Sequence, residues 1–279
     1  MTTPILAQYR GQFGKAEARH LLSRSGFGAT PHQIDRYAKA GLDATLGAVF
    51  EGDTKSEKIR RRWQRRRALS RRISVRGDSS QLQASWFLSA ATSPLPLREK
   101  IALFWHDHFA TANTKVDDLV AMEAQMSIFL DHGLGSFREL LGRVAKDPAM
   151  LVFLDGAQNN KTAPNENFAR EVLELFTLGI GNYTETDIQN AARAFTGWQV
   201  VRGSFKVETN AHDAGSKTIF GKTGNFGGED ILDLCIEKVA CARFIVNKLA
   251  YYFLGVTPSK KVVDSLALSL QKHEFSIEG

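Results

Sequence analysis

Cysteine is nearly absent: the chain carries only Cys235 and Cys241. They lie six apart in what reads as one helix, so they point to different faces and cannot bridge each other there. That leaves no disulfide framework and no cysteine-based zinc pattern, and it leans toward a reducing compartment. Long apolar runs are missing as well. The longest, "LAYYFLGV" (Leu249–Val256), falls far short of the roughly 20 residues a membrane-spanning helix needs. The opening "MTTPILAQYRGQFGKAEARH" has no basic start followed by an apolar stretch of signal-peptide length. The expectation is a chain with no transmembrane segment and no visible export signal, its compartment unknown. Familiar catalytic signatures are also lacking. No H-E-x-x-H, G-x-S-x-G or G-x-G-x-x-G occurs. "GKT" at Gly221–Thr223 lacks the earlier glycine of a phosphate loop, position 216 being Ser216.

What is present is apolar and unevenly charged. The 279 residues are 43% apolar, enough for one large core or two modest ones. A single helical domain over 1–279 is expected, with a C-terminus that reads as truncated because "EFSIEG" offers no stop or cap. The net charge is +6. From Lys55 to Arg76, however, eleven Lys/Arg face one Glu, about +10 in that stretch and about −4 in the rest. Eleven cations repel one another, and Ile59, Trp63, Leu69 and Ile73 make a poor apolar stripe. The segment 55–76 is therefore expected to be a solvated, partly helical basic excursion outside the core.

Elsewhere the 3.6-residue period dominates. Thr30-Pro31 reads as an N-cap and first-turn proline, and Thr184 with Asp187 as a near-capping box. "LREKIALFWHDHFA" places Leu97, Ile101, Phe104, Trp105 and His108 on one face. "NENFAREVLELFTLGIG" reads as a strong helix from Asn165 to a stop at Gly179, burying Phe168, Val172, Leu175 and Phe176. Only 199–221, rich in glycine and β-branched residues, breaks the pattern and reads as a small hairpin or two. The fold class predicted is mainly α: a compact multi-helix domain with a small β-hairpin element.

Three motifs carry chemistry. "FWHDHF" sets His106 and His108 among large aromatics. Two residues apart on a helix they point about 200° apart, so regular geometry does not let both ligate one ion. The plain alternative is one buried, hydrogen-bonded histidine and one nearer the surface. Asn167, Glu171 and Glu174 form one polar stripe beside the apolar one, suited to a metal or to acid–base work, or simply to a solvated acidic face. Asn165 is placed as an N-cap, and Glu166 with Arg170 as an i, i+4 pair. "HDAGSK" puts His212, Asp213 and Lys217 in a loop, where functional groups gather and where turns are also capped.

Taken together, "HLLSRSGFGATP", "LREKIALFWHDHF", "DPAMLVFLDG", "NENFAREVLELFTLGIGNYTETD", "ARAFTGW" and "HDAGSKTIFG" resemble, in content and order, the bacterial domain of unknown function 1800 family. Tyr183, Arg193 and Trp198 enter as candidate site residues through these motifs. The chain departs from the family's usual signature at Asp107 and Gly156, where Asn is typical. The resemblance implies a mainly helical bacterial protein. It implies no activity, although many relatives look exported and adjoin genes for a family resembling phosphatases or sulfatases.

Three readings follow. The first is an enzyme or divalent-metal protein whose site gathers His106, His108, Glu171, Glu174, His212 and Asp213, with Glu171, Glu174 and His106 as catalytic candidates. His plus carboxylate is a ligand set suited to zinc, manganese or iron. The second is a helical binding or scaffolding module for a protein partner. The third, weakest, is an anionic-polymer binder acting through the basic segment; nucleic acid is the unlikely case of it. Buried charges need partners, so the three motifs are expected to face one another.

Overall fold

The computed structural model describes residues 6–52 and 57–278, the side chains of Lys58 and Ile59 excepted. Lys55 and the side chain of Ile59, both used in reading the basic segment, lie outside the described residues. Among the described residues, helices make up most of the fold and strands are confined to two small hairpins, which is the architecture expected.

The N-terminal helices α1 (Lys15–Ser25), α2 (Pro31–Ala40) and α3 (Leu42–Glu51) pack on one another. Thr30 starts α2 as its spacing predicts: its hydroxyl accepts from Gln33 N, and Gln33 reaches back to Thr30 N at 2.8 Å. Next come α4 (Glu57–Arg76) and α5 (Ser79–Thr92), folded back on each other, with Ser70 and Ser85 sharing a 2.9 Å hydrogen bond. They are followed by α6 (Pro96–His108), α7 (Asn113–Val116), α8 (Leu119–His132), α9 (Phe137–Ala145) and α10 (Pro148–Phe153).

The basic segment corrects an expectation. No described residue of it joins the main apolar cluster, yet it is ordered helix and not a free excursion. From Glu57 it is one helix, packed against α5 and α8, with Ile73 and Ser74 buried. Charge pairing takes the place of the apolar stripe it lacks. Arg67 forks onto Asp131 of α8 at 2.5 and 2.6 Å, and Arg71 lies 3.8 Å from Glu123 of α8.

Helix α11 (Glu166–Glu171) runs without a break into a π-helical stretch, Val172–Leu178. The wider winding closes with Gly179 N donating to Glu174 O at 3.0 Å, five residues back, and Thr177 Oγ1 donating to Val172 O at 2.6 Å. The extra residue per turn rotates Leu175 off the apolar face. Phe168, Val172 and Phe176 are buried as expected, but Leu175 is 44% exposed. Gly179, at φ +76, then ends the helix in a conformation that favours glycine.

After α12 (Glu185–Ala194) come the antiparallel pairs β1 (Trp198–Val201) with β2 (Ser204–Val207), and β3 (Lys217–Ile219) with β4 (Lys222–Gly224). Each turns through two residues of positive φ, Arg202-Gly203 and Phe220-Gly221, the twist-matched hairpin turn. "GKT" is therefore strand and turn. The closing helices are α13 (Gly228–Ile236), α14 (Val239–Leu254) and α15 (Lys260–Lys272). Cys235 and Cys241 sit on α13 and α14 rather than on one helix, because the chain breaks at Glu237-Lys238 where neither Gly nor Pro announces it; both thiols are free and buried. The last described residues return to the loop between α8 and α9. Phe137 N donates to Phe275 O, Ile277 N to Gly135 O and Glu278 N to Leu134 O. One apolar cluster runs from Val49 to Phe275, centred on α6, the π stretch, α9, α13 and α14.

Candidate functional site

The ionisable groups of the three sequence motifs make different contacts. His108, the last residue of α6, is 2% exposed and ringed by Phe104, Trp105, Phe109, Phe176 and Phe244. Its Nε2 lies 3.1 Å from the carbonyl of Phe176. A helix end leaves its last carbonyls without partners, and a carbonyl only accepts. His108 is therefore the neutral tautomer that donates through Nε2, which leaves Nδ1 buried and unpartnered. Burial, with Lys248 nearby, pushes its pKa down to about 3. It caps the π stretch from across the core and has no lone pair in reach of solvent.

The acidic stripe is local. Glu174 accepts from the Tyr183 hydroxyl, and burial together with that carboxylate pushes the Tyr183 phenol up to about 12. Glu171 is half-buried, its pKa raised by burial and then by Glu174. Arg170 bridges Glu166 at 3.2 Å and Glu185 at 2.5 Å. Asn165 caps α11 by accepting from Asn167 N, and its amide donates to Asp155 O.

The "HDAGSK" loop is clamped onto α12. Arg193 holds Asp213 at 2.7 and 3.3 Å, which keeps that carboxyl below its usual range. Asp213 N donates to Thr196 Oγ1 at 2.7 Å, and His212 Nδ1 sits 2.9 Å from Thr196 O. Lys217, 1% exposed, gives its ammonium to the carbonyls of Asp213 and Gly215 at 2.5 and 2.9 Å. Trp198 is buried edge-on against Phe195 and Phe205. Gly228 at the start of α13 lies so close that a Cβ there would stand 2.3 Å from the Trp198 ring. Among the described residues, no hydrogen bond joins His106 or His108 to Glu171, Glu174, His212 or Asp213. Among the described residues, no three His, Cys, Asp or Glu side chains are grouped to hold a metal ion.

His106 faces a space. It lines a cavity of about 400 Å³ bounded by α4, α5, α6 and α8. Trp63, Arg66 and Arg67 come from α4, Leu82 and Trp86 from α5, Glu99 and His106 from α6, and Met122, Glu123, Met126 and Leu130 from α8. The walls are aromatic and thioether: Trp86 meets the His106 ring edge-on at 5.2 Å, and the Arg67 guanidinium lies 4.8 Å over Trp63. Individual polar atoms on this apolar frame lack partners. Glu99 is 2% exposed with Oε2 unbonded, and Arg66 Nη1 and Arg67 Nε are also buried without partners. Burial raises the pKa of Glu99 and of Glu123 and lowers that of His106. The cavity thus holds carboxyls inclined to keep a proton beside an imidazole inclined to shed one. From its rim Thr111 bonds Gln125, whose amide donates to Asp147 at 2.7 Å. Buried Asp147 caps α10, and burial pushes its pKa up to about 6.

Glu99, Trp63, Arg66, Trp86, Glu123 and Asp147 were not among the candidate site residues named from the sequence. One signal was there: Glu99 and His106 are seven apart, two helical turns, and so share a face of α6.

Fold and site define a helical protein with a half-enclosed amphipathic pocket under its basic helix. Among the described residues no helix is long and apolar enough to cross a membrane. The chain belongs to the family described as "Protein of unknown function (DUF1800)", whose model matches residues 20–279. No curated protein and no solved structure matches it.

Proposed function

We propose that the protein binds a small, mainly apolar molecule bearing one acidic group in the cavity between α4, α5, α6 and α8. The observation that carries this is the set of unpartnered polar atoms on Arg66, Arg67 and Glu99, all residues of one largely apolar cavity. A buried polar group without a partner costs about 1–3 kcal/mol, and a ligand that supplies one recovers it. The Arg66 guanidinium would receive the ligand's carboxylate. Trp63, Trp86 and the methionines would cover its apolar part. The pairing of raised Glu99 with lowered His106 supports a second reading, general acid–base chemistry on the bound molecule.

Calorimetric titration of the full chain with a medium-chain carboxylate, against the alcohol of equal chain length, tests binding. Saturable heat is expected for the acid, weakened about tenfold or more in Arg66→Leu and abolished in the cavity-filling Leu82→Trp. Equal binding of acid and alcohol, or binding indifferent to both variants, would overturn the reading.

A further inference from the structure

The basic helix has two faces with different work. Inward, Arg66 and Arg67 serve the cavity and Arg67 and Arg71 hold α8. Outward, at about 100° per residue, Arg62, Arg65, Arg72 and Arg76 share one broad stripe, all exposed and none paired with an acid among the described residues. Such a stripe repels itself unless something anionic neutralises it. It is also not purely polar. Leu69, 49% exposed, falls within the stripe, Val75, 75% exposed, flanks it about 60° to one side, and neighbouring α5 exposes Phe87 at 75% and Leu88 at 57%. Helix α5 has no fully buried residue at all, so its apolar side chains are spent largely on its surface. Cations interleaved with exposed aliphatic and aromatic groups suit a boundary where phosphate lies above hydrocarbon. A nucleic acid would use the arginines, but its phosphate backbone offers nothing to Leu69 or Val75.

We propose that the outward face of α4, with Phe87 and Leu88 of α5, docks on an anionic lipid bilayer surface. The arginines meet headgroup phosphates, and Leu69, Val75 and Phe87 enter the headgroup–acyl boundary. The face lies opposite the cavity wall of the same helix, so docking and cavity binding are separate properties.

Cosedimentation of the full chain with vesicles of phosphatidylglycerol and phosphatidylcholine, against phosphatidylcholine alone, provides the test. Binding to the anionic vesicles only is expected, falling as salt rises. Each arginine near an anionic surface is worth about fivefold in partition. The variant with Arg62, Arg65, Arg72 and Arg76 all changed to Gln should therefore lose more than about a hundredfold. Should it fail to fold, Arg65→Gln with Arg72→Gln should still lose about 25-fold. Val75→Ser with Phe87→Ser should weaken vesicle binding severalfold while leaving any retention on heparin unchanged. Absence of binding to anionic vesicles at low ionic strength overturns the proposal. So does vesicle binding indifferent to the Val75 and Phe87 changes, or preferential binding to single-stranded DNA, which would mark the stripe as a polyanion site.

Discussion

At the scale of single residues, two buried titrating groups pull in opposite directions. His108 is held neutral, its pKa lowered from 6.5 to about 3. The unfolded chain therefore binds the proton more readily. The stability His108 contributes is fully present above pH 6.5 and is lost as pH falls toward 3. Asp147 is the reverse, raised from 3.8 to about 6. The folded chain binds the proton more readily, so its contribution is greatest below pH 3.8 and is lost as pH rises through 6. Between pH 5 and 6 the two slopes are each about 1 kcal/mol per pH unit and of opposite sign. Urea unfolding across that window should show His108→Gln losing stability relative to the parent as pH rises. Asp147→Asn, which keeps the helix cap, should gain. Parallel profiles for parent and variants would mean that neither group is buried as described.

At the scale of elements, the π stretch decides which side chains reach the core. Phe176 is 3% exposed and packs on Phe109 and His108, while Leu175 beside it faces out. Phe176→Ala should cost roughly 3–5 kcal/mol in chemical denaturation, and Leu175→Ala under about 1 kcal/mol. Similar costs for both would restore a regular α-helix there. Here the limit of sequence reading is visible. The helix from Asn165, its cap, its stop at Gly179 and three of its four core residues were legible, because period and capping are local properties. The fourth was not, since a π turn rests on hydrogen bonds from Gly179 and His108 rather than on residue type. The hairpins were legible as glycine-rich, β-branched stretches. The docking of α4 was not, because its partners Asp131 and Glu123 lie more than fifty residues away. Of the candidate site, His106 was legible from its neighbours. Glu99 and Trp86 become site residues only when α5 and α6 come together.

At the scale of the whole molecule, burial is graded. α6, α9 and the π stretch carry many fully buried side chains, whereas α4 and α5 together bury few. Elements with few buried contacts open at lower free energy. Amide hydrogen exchange should therefore reach 60–92 well before 97–109, 137–145 and 168–178. Since α4 and α5 wall the cavity, that opening is its natural entrance. A carboxylate held there should slow exchange in both helices; uniform protection of hairpin and core in the free protein would remove the entrance.

The return of Phe275, Ile277 and Glu278 to the α8–α9 loop has a consequence for biosynthesis. Phe275 stacks 6.5 Å from Phe137, a fully buried ring at the start of α9, and the joined segments are separated by about 140 residues of chain. A ribosome makes Phe137 long before it makes the residues that cover it. Until residue 278 clears the exit tunnel, this side of the aromatic cluster stays open, and the nascent chain is a natural client for holding chaperones.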